Sequence, residues 1–164
     1  MAHRELDEST FVRERLIRGA TRLIEEEGCS SLGVRRLAQA SDRTTMCVYS
    51  KFGSRGGLLT TVFEKAGESL IASVRNSDDP SRGYLDWARR HVQLYTMLFD
   101  QPLDALDVGI PVRTRLIMDL VDELASSAQS GAEKWSWLHG TFAYERIVGG
   151  VTAFETASDH APSL

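Results

Sequence analysis

Residues 33–59 of this 164-residue chain read GVRRLAQASDRTTMCVYSKFGSRGGLL, and they constrain the fold more than any other stretch. Val34, Leu37 and Ala38 recur at i, i+3 and i+4, which places them on one face of a short helix. Ser41, Asp42 and Arg43 interrupt that pattern. Asp42 is a residue type that enters the left-handed backbone region at modest cost, as a tight corner between helices requires. Thr44 is placed to cap a second helix over about 45–51, its hydroxyl accepting from a backbone N–H one turn on. Val48, Tyr49 and Phe52 supply that helix with packing groups. A short helix, a tight turn and a second short helix form a helix-turn-helix.

Charge agrees with this reading. The chain carries a formal net charge of −4, yet residues 33–56 hold Arg35, Arg36, Arg43, Lys51 and Arg55 against Asp42 alone. A local cationic patch on an acidic protein predicts a phosphate-contacting surface and excludes a uniformly basic binder.

The segment VYSKFGSRGGLL resembles the signature of the TetR family of transcriptional regulators. There a tyrosine closes the recognition helix, a phenylalanine follows three residues later, and a Gly-Ser-basic turn opens a long helix. Gly28, Arg35, Leu37 and Ala38 also fit, and the match runs from Arg15 to Leu59 without a gap. Two features depart from the pattern: Asp42-Arg43 replaces a Gly-Val corner, and Gly56 replaces an acidic residue. The motif WSWLHGTFAYERIVGG further resembles the Trp-His-Gly subgroup of the family.

The resemblance implies an all-α fold. A three-helix DNA-binding domain over residues 1–54 is joined by a long fourth helix to a helical ligand-sensing and dimerisation domain over 55–164. It implies double-stranded operator DNA as partner, a homodimer, a small-molecule effector and no cofactor. Phosphate contacts are expected from Thr44, Tyr49, Lys51 and Arg55, with Thr44 also marking a helix N-terminus that attracts phosphate. Arg35, Thr45, Met46 and Cys47 are expected to face the bases. Arginine can pair bidentately with guanine, whereas threonine and methionine suit a thymine methyl. Met46 as packing and Cys47 as a small apolar filler are the plainer alternatives. Arg43 is expected either to loosen the corner or to snorkel toward phosphate.

Elsewhere the pattern is helical throughout. Residues 1–9 are polar and expected to fray. Val12, Leu16, Ala20, Leu23 and Ile24 stripe a first helix that stops at Gly28. Its arginines are read as a solvated face, with Arg13 or Arg15 placed to reach phosphate. Leu58, Leu59, Val62, Phe63, Ala66, Leu70 and Val74 form the apolar face of a fourth helix over 55–75, the mechanical link between the two parts. Asp79-Pro80 opens either one helix to Phe99 or two helices meeting near His91. Residues 100–110 form a loop with room for one helical turn. Pro111 starts the next helix, and the last covers about 132–155, before a polar tail over 156–164.

That last helix carries only Glu145 and Arg146 as charges between Trp135 and Phe154. A helix apolar nearly all round is buried on more than one side. The expected solution is a four-helix interface with a second copy through Leu116, Leu120, Leu124, Leu138, Gly149 and Gly150. The glycines read either as helix-weakening residues or as points of close helix approach. A mainly apolar effector is expected among Phe63, Trp87, His91, Tyr95, Phe99, Met118, Trp135, His139 and Phe142, though aromatics at helical spacing also simply build a core.

Two cysteines and four histidines without metal-ligand spacing predict no zinc site, no disulfide framework and a reducing cytoplasm. No signal peptide or membrane span is read. Two rival functions remain: a helical ligand-binding or interaction module that does not use DNA, and an enzyme assembled from His91, His139, Glu145 and Cys29, for which no nucleophile-base spacing speaks.

Overall fold

The computed structural model describes residues 2–30, 32–126 and 130–158, with side chains described for 8–30, 32–126 and 130–149. The described residues form helices and no strand. In chain order they are α1 (Ala2–Glu27), α2 (Val34–Ala40), α3 (Thr45–Phe52), α4 (Arg55–Arg75), α5 (Pro80–Arg90), α6 (Val92–Phe99), α7 (Leu103–Leu106), α8 (Ile110–Leu124) and α9 (Gly131–Ser158).

The helix ends follow local chemistry. Ser54 accepts from Gly57 N–H at 3.0 Å and caps α4. Asp79 accepts from Ser81 N–H at 2.9 Å, with Pro80 at the first helical position of α5. Ser130 and Glu133 form a reciprocal capping box at the start of α9. Gly28 ends α1 in the left-handed region at φ +72°.

α1, α2 and α3 pack into a head around Leu16, Ala20, Leu23, Ile24, Leu37 and Val48, all buried. α4 contributes Leu58, Leu59 and Val62 to the same core and continues into the body. There Leu70 and Val74 meet Tyr84, Trp87 and Ala88 of α5 and Leu94, Tyr95 and Leu98 of α6. α8 and α9 close the body with Leu116, Leu120, Leu124, Leu138 and Phe142. The two charges of α9 between Trp135 and Phe154 are structural ties: Arg89 of α5 donates to Glu145 at 2.6 Å, and Arg146 donates to Asp100 at 2.6 Å.

Two expectations change, and one open alternative is decided. Helix α1 begins at Ala2, so the polar opening joins the helix and does not fray from it; Glu, Leu and Arg there are all good helix formers. The helix from Pro80 does break at His91, whose φ −125° and ψ 48° lie outside the α region. Leu116, Leu120, Leu124 and Leu138 are between 0% and 6% exposed within one subunit, so they are core and not an outward face. Gly149 is exposed with open space around it. The surroundings of Gly150 and residues 159–164 lie outside the described residues.

Candidate nucleic-acid interface and the grooves of the body

The corner between α2 and α3 is closed by three backbone bonds: Ser41 N–H to Ala38 O, Asp42 N–H to Gln39 O and Arg43 N–H to Ala38 O. Asp42 takes φ +51°, the left-handed conformation its residue type suggests. Ser41 is buried and donates to Leu37 O at 3.0 Å. From α1, Arg15 pairs with the Asp42 carboxylate at 3.1 Å and Arg22 donates to Ala40 O at 2.9 Å. The corner is therefore braced from behind. Arg43 is half-buried and curls onto the Asp42 carbonyl at 3.0 Å.

This bracing presents one outward surface. Arg35 and Gln39, one turn apart on α2, lie beside Thr44 and Thr45 around a shallow depression. Met46 is 72% exposed and Tyr49 is 50% exposed. An exposed methionine is a costly surface for a free subunit and a suitable one for apolar contact with a groove edge. Thr44 occupies the N-cap position, but its hydroxyl lies 3.6 Å from Cys47 Sγ and makes no capping bond. The cap is made by the Thr44 carbonyl, which accepts from Cys47 N–H. Cys47 is half-buried beneath this surface.

Of the residues expected at phosphate, Thr44 and Tyr49 are exposed, and Lys51 is half-buried and donates to Ser9 Oγ at 2.8 Å. Arg55 bonds within the chain instead. Its Nε donates to Leu32 O and its two terminal nitrogens to the Asp107 carboxylate and to Ala105 O. The guanidinium is thus spent inside the chain, tying the α1–α2 loop to the turn after α7. Gly56 makes the tie possible, because a Cβ there would lie 2.6 Å from Asp107 Cβ and 2.8 Å from its carbonyl oxygen. Sequence reasoning missed Gln39; its place four residues after Arg35, on the same face of α2, was the available signal.

The nine residues expected to line one pocket fall into four places. Tyr95, Phe99, Trp135, His139 and Phe142 pack ring against ring, with centroids 4.6–6.0 Å apart. Tyr95 shares hydrogen bonds with Tyr84 and His139. Burial pushes the Tyr84 phenol up to about 12 and raises the Tyr95 phenol too, so both remain protonated. Trp87 and His91 pair elsewhere, the indole donating to Ser69 and the imidazole facing Glu25 of α1 at 2.8 Å. Phe63 underlies a groove between α4 and α8, and Met118 stands 61% exposed on the outside of α8. The tight packing of the first group follows from its complementary rings.

His91, His139, Glu145 and Cys29 likewise do not converge: the first three pair with Glu25, Tyr95 and Arg89 respectively. Burial pushes the Cys29 thiol up to about 11. Among the described residues, no group of three His, Cys, Asp or Glu side chains is placed to hold a metal ion, and no helix is long and apolar enough to cross a membrane.

A helix-turn-helix head carried by a long fourth helix on an all-helical body is the fold of the TetR-type transcriptional regulators. A solved structure described as a possible TetR family transcriptional regulator from Streptomyces coelicolor A3(2) shares it, with a TM-score of 0.50 and 21% identity over 80% of this chain. The matched region spans 66% of that protein's length, just under two thirds. No protein-family model matches the sequence, and none of the curated proteins is significantly similar to it.

Proposed function

We propose that this chain is a TetR-like DNA-binding transcriptional regulator, a repressor that binds a two-fold operator as a homodimer and leaves it when a small molecule binds the body. The observation that supports this reading is the braced corner, beside which Arg35, Gln39, Thr44 and Thr45 line one depression while Met46 and Tyr49 of α3 stand exposed. In this reading the N-terminal end of α3 enters the major groove, with Thr44, Tyr49 and Lys51 on flanking phosphates and Arg35, Thr45 and Met46 at base edges.

The homodimer is assigned to the outward face of α9. Trp137, Tyr144 and Ile147 are 61–68% exposed there, at near-heptad spacing around Gly140. No charge falls within that strip, so two copies meet without like-charge repulsion. Gly140 and Gly149 leave room for close approach.

The rival module without DNA draws on one observation, the loss of Arg55 to an internal tie. Selection of bound fragments from a random DNA pool, followed by a salt titration, separates the two. The regulator reading expects an enriched inverted repeat whose affinity falls steeply with salt. Absence of enrichment, or salt-insensitive association, overturns it.

A further inference from the structure

We propose that the groove between α4 and α8 is a binding site for a lipophilic organic cation. Its cavity is 330 Å³, within the range of small-molecule sites. The floor is apolar: Phe63 and Ile71 come from α4, and Val112 and Leu116 from α8. Phe63 is 1% exposed and Leu116 is 6% exposed, so this floor belongs to the rigid core.

The rim selects the charge of the occupant. Glu64 and Glu68 stand one turn apart on α4, and Asp119 faces them from α8, with Arg115 as the sole base of the lining. None of these four has an ion-pair partner among the described residues. Acids placed between other elements are paired: Glu25 with His91, Asp107 with Arg55, Glu123 with Arg75 and Glu145 with Arg89. Carboxylates one turn apart on a helix repel each other, and a bound cation relieves that repulsion.

Other occupants fit less well. A neutral apolar molecule would take the carboxylates out of water without pairing them. An anion would add to the repulsion. A second copy docked by two-fold symmetry would bring the same acids face to face. A metal ion needs converging ligands, and the groove has no such group among the described residues. A cation with dispersed charge and an apolar surface satisfies both floor and rim.

The inference deepens the regulator reading, on which it rests only for its effect at DNA. α4 carries Arg55 at its start, and α8 begins just beyond the α7 turn that Arg55 holds, so an occupant sits against the helix that carries the tie and the helix that follows it.

Tetraphenylphosphonium and tetraphenylborate are matched in shape and opposite in charge, and titration calorimetry of the full chain with each, without DNA, tests the site. The expected result is saturable binding of the phosphonium at one per chain, with the borate weaker by at least about tenfold. The double variant Glu64→Gln/Glu68→Gln should bring the two affinities to within about threefold. Both glutamates are exposed and unpaired, so the variant should melt as the wild type does, which checks that it is folded. Equal affinities in the wild type, no saturable phosphonium binding, or a selectivity that survives the double variant overturns the proposal. DNA affinity is measured separately without phosphonium, so the failure of either reading is visible on its own.

Discussion

Arg55 uses three nitrogens on three acceptors, and this decides how its loss should read out. Arg55→Ala is expected to lower unfolding free energy by about 1.5–3 kcal/mol in denaturant melts, the scale of hydrogen bonds to a charged group. Arg55→Lys should recover little, because an ammonium cannot span the same fork of acceptors. Arg35 presents the opposite case, an exposed side chain with no hydrogen bond or ion pair among the described residues. Arg35→Ala should leave stability within about 0.5 kcal/mol and cost about 1–3 kcal/mol of discrimination between the selected site and its single-base variants, read by competition binding. The two arginines look alike in sequence. What distinguishes them is Asp107, 52 residues from Arg55, and no local pattern reports that approach. The left-handed Asp42 was legible because its residue type and its place between two apolar stripes carry the information locally.

Among the elements, α2, α3 and α4 were legible because apolar periodicity, a Gly-Ser turn and a capping serine coincide there. The start of α1 was not, because polar composition alone does not separate a solvated helix from a frayed end. In α8 and α9 the periodicity showed which residues are apolar but not which partner covers them. The leucines turned out to be covered by the chain itself. The clasp between α5 and α9 carries a pH signature. Arg89 holds the Glu145 carboxyl below its usual value of 4.5, chiefly through their hydrogen bond. A depressed folded value means stabilisation that is present above the unfolded value and lost as pH falls through the folded one. The stability gap between wild type and Arg89→Ala should therefore be under about 1 kcal/mol at neutral pH, given the exposure of the pair, and close as pH drops below about 4.5. Acid titration of thermal melts checks the direction; a gap that widens would contradict it.

For the whole molecule, the assignment of the α9 face separates two kinds of substitution. Trp137→Glu should convert a dimer to monomers in sedimentation while each subunit keeps its melting temperature to within a few degrees. Leu138→Ala, one residue along, should instead cost about 2–5 kcal/mol of subunit stability, because it opens a cavity in the core. The head and body share one continuous apolar core through Leu58, Leu59 and Val62, and Arg55 fastens them a second time. A polypeptide of residues 1–54 alone should therefore show little helical circular dichroism, since it lacks both the three apolar residues and the donor to Leu32 O. The head is consequently not expected to be a detachable cassette: a chimaera that grafts residues 1–55 onto a foreign body must transplant the α7 turn as well, or leave the Arg55 guanidinium with Leu32 O as its single acceptor of three.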